Sequence, residues 1–311
     1  MADDIKNVLG IDSSTGRLSV AVSRNEELLS EMTDYDSMKH MVNIMSLLDI
    51  TLKKAKLTIK DIDVFGVNLG PGDFTGTRIG ISIIKTLAWL ERKPSFGINS
   101  LDVFAVGISR ENEKFISRGL NKDVSVLVMP CLDVRKAEVY FSFYEITIGT
   151  GNGIKEKERA ERKSYIARIE IRGRRYIINK VGENFLVRNS ELKNFLGKMT
   201  VNGILNIPGS IDGYRNPGVL IGGNCFSSYG DTISDAASQN NIFKLDKKTT
   251  YPYARYLNIC TYFNAEREAK SGNLIPVYVR DFVPFGGRAD NPCSSVVGKN
   301  RKDKRKIVRR G

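Results

Sequence analysis

The sequence predicts an α/β protein of two lobes, the first of them built on a mixed sheet. Three features carry that expectation. The opening elements run in the order β-β-β-α-β-α-β-α, a second set of strand-like runs begins near Val124, and the 311 residues, 41% hydrophobic, suit one large two-lobed globule or two modest domains. The boundaries fall at 1–110 for the first lobe and 111–285 for the second, which is interrupted by an insertion at about 148–217. Residues 286–311 form a basic tail expected to be disordered.

Each element of the first lobe has a local cause. Ile5–Asp12 is a short apolar run that reads as a buried strand and ends in the turn Ser13-Ser14-Thr15-Gly16. Leu18–Ser23 and Glu26–Leu29 read as the second and third strands. A helix is expected over roughly Ser37–Lys56, capped by Asp36 or Ser37. Its apolar positions include Met38, Met41, Val42, Ile44, Met45, Leu47, Leu48 and Leu52, more of the circumference than a surface helix usually buries. Val64–Leu69 is the next strand; it enters the turn Gly70-Pro71-Gly72 before a helix from about Thr77 to Leu90. Pro94–Ile98 is a short strand, and Ser100 is placed to cap the helix after it.

In the second lobe, Val124–Cys131 and Glu138–Tyr144 read as strands joined through Asp133-Val134-Arg135-Lys136. The stretch from about Ile148 to Pro217 opens on glycines, passes through a charged run and then alternates at Tyr165–Ile171 and Arg175–Val181. It reads as an insertion carrying its own small β element. Val219–Ile221 is a strand ending in Gly222-Gly223-Asn224, Tyr251–Lys270 is helical, and Ile275–Arg280 is strand-like. No internal repeat stands out; the opening β-β-β-α pattern has only a partial echo in the second lobe.

Composition narrows the function. No apolar run approaches the roughly 18 residues of a membrane span, and the start, MADDIKNVLG, opens with two aspartates where a secretory signal would need a basic start and a longer apolar stretch. The expectation is a cytoplasmic protein with no membrane contact. Cys131, Cys225, Cys260 and Cys293 show no C-x-x-C spacing and read as reduced thiols. His40 is the sole histidine, which excludes zinc hydrolases with paired histidine ligands and leaves a Ser-His-Asp triad only through His40. The net charge of +13 sits in two places: Gly298–Gly311 carries +7 and Gly153–Arg175 carries +5, so the remaining body is close to neutral. Such basic appendages suit salt-dependent contact with nucleic-acid phosphates, or serve as solubilising segments.

The most distinctive string is N-L-G-P-G-D-F-T-G-T-R-I-G, Asn68 to Gly80. Gly70, Gly72 and Gly76 permit a sharp strand-to-helix turn with positive φ and bare backbone, Thr75 or Thr77 is placed to cap the helix, and Arg78 lies in its first turn. A helix start presenting backbone N–H groups suits an anion; the alternative is an ordinary glycine turn. The G-K-[ST] ending of a Walker loop is missing. Asp133 and Arg135 pair an acid with an electrophile, or form a structural ion pair at a strand turn.

Taken together, the motifs resemble the TsaB (YeaZ) family. The string at Asn68–Gly80 is similar to that family's G-P-G-S-F-T-G-x-R-I-G, with Asp73 in place of serine. In order, Leu9–Thr15 is similar to its I-D-T-S-T opening, and Met38–Met41 places the histidine where the family has one. Asp133–Tyr140 resembles D-A-R-x-x-E-V-Y, Ile221–Asn224 matches V-G-N loosely, and Pro276–Asp281 matches P-x-Y-L-R. The resemblance covers about residues 5–147 and 218–281 and says nothing about the insertion or the tail. It implies an actin/Hsp70-like (ASKHA, ribonuclease H-like) two-lobe fold with a degenerate nucleotide site. It further implies pairing, chiefly through first-lobe helices, with the paralogue TsaD, which transfers the threonylcarbamoyl group to tRNA, and recruitment of an ATPase, TsaE.

Two further readings follow from the resemblance. TsaD-like enzymes hold a metal with paired histidines, which this chain lacks, and active relatives carry glycine in the first phosphate turn, where this chain has Asp12-Ser13-Ser14-Thr15 and Gly16 arrives late. Asp12, Ser13, Ser14, Thr15, Gly70, Gly72, Thr75, Gly76 and Arg78 are therefore expected to form a vestigial anion site. No cofactor is expected on this chain; ATP/ADP and a metal belong to the partner subunits. Met38, Met41, Met45 and Leu48 are spaced three, four and three residues apart and form one helical stripe, which reads equally as core or as an adaptable partner face. The resemblance favours the partner face, completed by Ile81, Ile84 and Lys85 on the next helix; when TsaD is absent, a homodimer and a monomer are both open. The alternative function is a self-sufficient ATPase or phosphotransferase of the same fold. A peptidase is a weaker reading, since no nucleophile–base pair is recognisable.

Overall fold

The computed structural model describes residues 6–35, 40–122, 124–134, 137–148, 165–171, 173–201, 204–207, 213–238, 243–249, 251–267 and 274–278. The chain divides into two units, Met1–Val279 and Arg280–Gly311, and the second lies wholly outside the described residues, as do the tail and the caps expected at Asp36 and Ser37.

The first lobe comprises β1 (Asn7–Asp12), β2 (Leu18–Arg24), β3 (Glu27–Asp34), α1 (His40–Ala55), β4 (Val64–Asn68), α2 (Phe74–Glu91), β5 (Ser95–Ile98), α3 (Ser100–Glu111) and α4 (Glu113–Leu120). Its sheet has the order β3-β2-β1-β4-β5, with β2 antiparallel to both neighbours and β1, β4 and β5 parallel. This is the ribonuclease H-like arrangement of the actin/Hsp70 class. Apolar side chains of α1 and α2 cover one side of it, where Ile44, Leu48, Leu52, Ile81, Ile84 and Ala88 join Leu9, Ile11, Val20, Phe65 and Val67 in one cluster. The cap of α3 is Asn99, whose side chain accepts from the Leu101 amide, and not Ser100, which lies one residue inside.

The second lobe comprises β6 (Val126–Asp133), β7 (Glu138–Ile148), β8 (Tyr165–Ile171), β9 (Arg174–Arg188), α5 (Leu192–Met199), β10 (Thr200–Val201), β11 (Ile204–Leu205), β12 (Tyr214–Arg215), β13 (Gly218–Gly222), α6 (Phe226–Ser238), β14 (Phe243–Asp246) and α7 (Ala254–Arg267). Its main sheet has the order β14-β13-β6-β7-β9-β8. β7 is antiparallel to β6 and β9, whereas β6, β13 and β14 are parallel. Apart from the edge strand β8, this repeats the first sheet's pattern strand for strand. The stretch expected as an insertion supplies β9, which pairs with β7 along most of its length, and α5; the small separate element within it is β10-β11-β12. The strand expected at Ile275–Arg280 is absent over 274–278, where a single backbone bond, from the Val277 amide to the Leu69 carbonyl (2.8 Å), fixes the segment.

The helix α7 lies between the two sheets. It is buried almost all round, as a helix without a solvent face must be. Against the first sheet it packs on two neighbouring glycines, Gly10 of β1 and Gly66 of β4, where a Cβ would overlap Asn258 or Thr261. Asn258 donates to the carbonyls of Val8 (3.2 Å) and Ala21 (3.1 Å). At its start the Ala254 amide donates to the Ser19 hydroxyl (3.1 Å) and the Arg255 amide to Glu31 (3.0 Å), so residues of β2 and β3 satisfy the first turn. On the other side α3 packs with the second sheet, and the Tyr144 hydroxyl donates to Asp102 (2.7 Å). Among the described residues no helix is long and apolar enough to cross a membrane.

Candidate functional site

Asp12 ends β1 fully buried, and Ser13 and Ser14 after it are buried too. The Asp12 carboxylate accepts from the Ser14 amide (3.0 Å), the Ser14 hydroxyl (2.8 Å) and the Asn68 side-chain amide (2.6 Å). Asn68 is locked in that orientation because its carbonyl oxygen accepts from the Gly70 amide (2.8 Å) and the Ser100 hydroxyl (2.8 Å). Burial pushes the Asp12 carboxyl up from 3.8 to about 6, against the opposing pull of those hydrogen bonds and with a small push from the Glu31 charge.

The glycine loop lies directly against this turn. The Asp73 amide donates to the Ser14 carbonyl (2.6 Å), and the Ser13 hydroxyl donates to the Gly76 carbonyl (2.8 Å). A Cβ on Gly72 would overlap the Ser14 carbonyl oxygen, and one on Gly76 the Ser13 carbonyl oxygen. Of the three loop glycines only Gly70 has positive φ (+89°); Gly72 and Gly76 serve close approach. The helix cap is Asp73, whose side chain accepts from the Gly76 amide (2.7 Å), rather than Thr75 or Thr77. A cap needs extended backbone just outside the helix, and both threonines already lie within it.

A nucleotide phosphate needs unspent N–H donors and room. Here the Ser14 amide is turned to Asp12, the Asp73 amide to Ser14, and the Gly76 amide to Asp73, while the loop backbone fills the space before the turn. Both Asp12 oxygens are occupied, and among the described residues no three His, Cys, Asp or Glu side chains converge as metal ligands. The residues do not fit a phosphate or its magnesium. The structure brings together Asp12, Ser13, Ser14, Gly70, Gly72 and Gly76, with Thr15 buried beside them. Thr75 is exposed, and Arg78 is engaged elsewhere: its guanidinium lies 3.6 Å from the Phe74 ring centre and its Nε donates to the Tyr278 hydroxyl (2.9 Å).

The Asp12 shift has a sign. A carboxyl with a folded value near 6 against 3.8 stabilises the fold least when ionised. Relative to an Asp12→Asn variant, stability is greatest below about pH 4 and falls as pH rises through about 6, by roughly 3 kcal/mol. Urea melts of both proteins across that range check it; parallel pH profiles would refute the buried charge. Asp133, the other acid singled out, accepts from the Ser228 (2.6 Å) and Tyr229 (3.2 Å) hydroxyls, and Arg135 lies outside the described residues.

The expected helical stripe divides. Leu48 on α1 and Ile81 and Ile84 on α2 belong to the first lobe's core, not to a partner face. The reason is angular: Ile44, Leu48 and Leu52 repeat every four residues and define the inner side of α1, and Met45 is turned about 100° from Ile44. Met45 is 54% exposed and Lys85 is exposed. Met38 lies outside the described residues, as do the side chains of His40 and Met41. Sequence reasoning missed the outer apolar residues Ile50 of α1 and Phe74, Trp89 and Leu90 of α2; Trp89, at 77%, is the most exposed large apolar side chain described. The signal was available in the lone tryptophan, set five residues after Ile84 and therefore on the opposite side of the helix.

A family model described as TsaD, tRNA N6-adenosine threonylcarbamoyltransferase, matches residues 28–161. A threonylcarbamoyltransferase of Persephonella marina is 34% identical over only 33% of this chain and 36% of its own length. The threonylcarbamoyladenosine biosynthesis protein TsaB of Bacillus subtilis is 28% identical over 46% of this chain and 56% of its own length; that of Escherichia coli K12 is 29% identical over 50% and 60%. The structure named YeaZ from Pseudomonas aeruginosa superposes with a TM-score of 0.60 at 18% identity, covering 88% of this chain and all of that one. The chain is similar to the TsaB (YeaZ) family over up to half of its length. It spans between about half and three fifths of the curated family members it matches. The YeaZ likeness, together with the repeated sheet order, establishes the actin/Hsp70-like two-lobe fold.

Proposed function

We propose that this chain is a non-catalytic subunit in the formation of threonylcarbamoyladenosine in tRNA, and that it docks the catalytic paralogue TsaD through the outer side of α1 and α2. The observation that carries this reading is the distribution of exposed apolar side chains. Of the ten large ones described as exposed, five (Met45, Ile50, Phe74, Trp89 and Leu90) lie on those two helices, over one side of one sheet. Such concentration marks an interaction surface, and methionine and tryptophan are suited to one. The self-filled turn at Ser13–Ser14 supports the non-catalytic part, because an autonomous ATPase of this fold needs that turn open. On this reading nucleotide and metal are held by TsaD and by the ATPase TsaE. Without TsaD, the same face is available to a second copy of the chain.

Gel filtration of the purified chain with TsaD, followed by tRNA modification assays omitting each component in turn, tests the proposal. The expected result is co-elution, and modification that requires both proteins. Modification of tRNA by this chain alone would sink the reading, as would two separate peaks at micromolar concentration.

A further inference from the structure

Beyond the starting ends of β6, β13 and β14, an open groove runs between these strands and α4. Phe115 and Phe243 contribute half-buried rings to its lining, and Arg118, Lys122 and Lys244 stand exposed around them. The Lys244 ammonium lies 4.8 Å from the Phe115 ring centre, so cation and ring already form one unit. A Cβ on Gly218 would meet the Phe115 ring at 3.0 Å, so bare backbone there lets the ring lie close to β13. No carboxylate is present among the described lining residues. Outside the two basic appendages the chain is nearly neutral, which makes three cations around one groove a local concentration.

Rings on the floor with cations at the rim are the two components of a single-strand nucleic-acid platform. Bases stack on the aromatic faces while ammonium and guanidinium groups track the phosphates. An acidic peptide would use the cations and leave the rings idle. We propose that this groove binds a single-stranded stretch of nucleic acid, with at least one unstacked base against Phe115 or Phe243 and its phosphates against Arg118, Lys122 and Lys244. The inference stands on the groove and is independent of docking to TsaD.

The full-length protein, titrated into labelled unstructured RNA and DNA strands and read by anisotropy across a salt series, tests it. The basic tail is present in every variant, so its contribution cancels. Lys122→Glu with Lys244→Glu, both at exposed positions, is expected to weaken binding about tenfold or more and to flatten the salt dependence. Phe243→Leu, which keeps an apolar group against the second core, is expected to weaken a base-bearing strand about fivefold or more and to spare an abasic one. A stronger effect on RNA than on DNA would assign the natural ligand to RNA, and the reverse to DNA; either supports the site. Unchanged binding in the charge-reversed protein overturns the proposal. So does binding of polyglutamate as tight as that of the strands, or equal loss of base-bearing and abasic strands in Phe243→Leu.

Discussion

Replacing Met45 and Trp89 together by aspartate is expected to abolish co-elution with TsaD while leaving the thermal transition almost unmoved. Both side chains are more than half exposed, so the monomer loses little when they change; isolated surface substitutions cost within about 0.5 kcal/mol. In a sealed interface the same two changes place unpaired carboxylates in an apolar seam. Truncating a buried tryptophan anchor alone costs about 2 kcal/mol or more, roughly thirtyfold in affinity, before the charge penalty is added. Leu48→Asp provides the contrast: it lies in the core, and its failure to bind would come with failure to fold. Retention of full-strength association by the folded Met45/Trp89 double variant would place the TsaD contact elsewhere.

Gly72→Ala is expected to destabilise the chain by about 3 kcal/mol, the upper end for overpacking, although Gly72 itself is exposed, because its Cβ would press on the main chain of the buried Ser14. The added Cβ meets the carbonyl of Ser14, a main-chain atom with no freedom to swing aside, because that carbonyl accepts from Asp73 and the Ser14 amide is tied to Asp12. Relief requires moving the start of α2 off the turn. Gly16→Ala, four residues from Asp12 in the same turn region, has open space around its added methyl and is expected to change stability by less than about 0.5 kcal/mol. Chemical denaturation of both variants measures the difference; similar midpoints would mean that the loop is not pressed against the turn. The comparison also bears on function, since a loop that lifts readily would reopen space for a phosphate.

The order of elements in the first lobe was legible because its strands are β-branched or alternating and its turns are marked by Ser, Gly and Pro. The string Asn68–Gly80 announced a sharp turn into a helix, and Asp73, noted as a departure from the family's serine, proved to be the cap. What the string did not reveal was its neighbour: contact between Gly72 and Ser14 joins residues far apart in sequence, and nothing local encodes it. The duplication of sheet order stayed hidden for a related reason. A hydrogen-bond ladder accepts many side chains, so β9 keeps the role of β3 while carrying Asn179, Lys180 and Glu183, and α4 has no counterpart in the pattern. On α1 apolar residues surround the helix, and only the position of the sheet decides that Ile44 and Leu48 turn inward and Met45 outward. In the anion site, residue types suggested a vestige; the geometry adds that the space is occupied by the protein's own backbone.

The Gly10–Gly66 shelf beneath Asn258 and Thr261 makes the two halves mutually dependent for their cores. A fragment ending at residue 110 would lack the helix that covers one whole side of its only sheet, and would offer bare glycine backbone to water in place of a packed seam. A fragment starting at 111 would keep that helix but leave its inner residues with nothing to lie against. The molecule should therefore melt in a single cooperative step, and neither half should be recoverable as an autonomous folding unit.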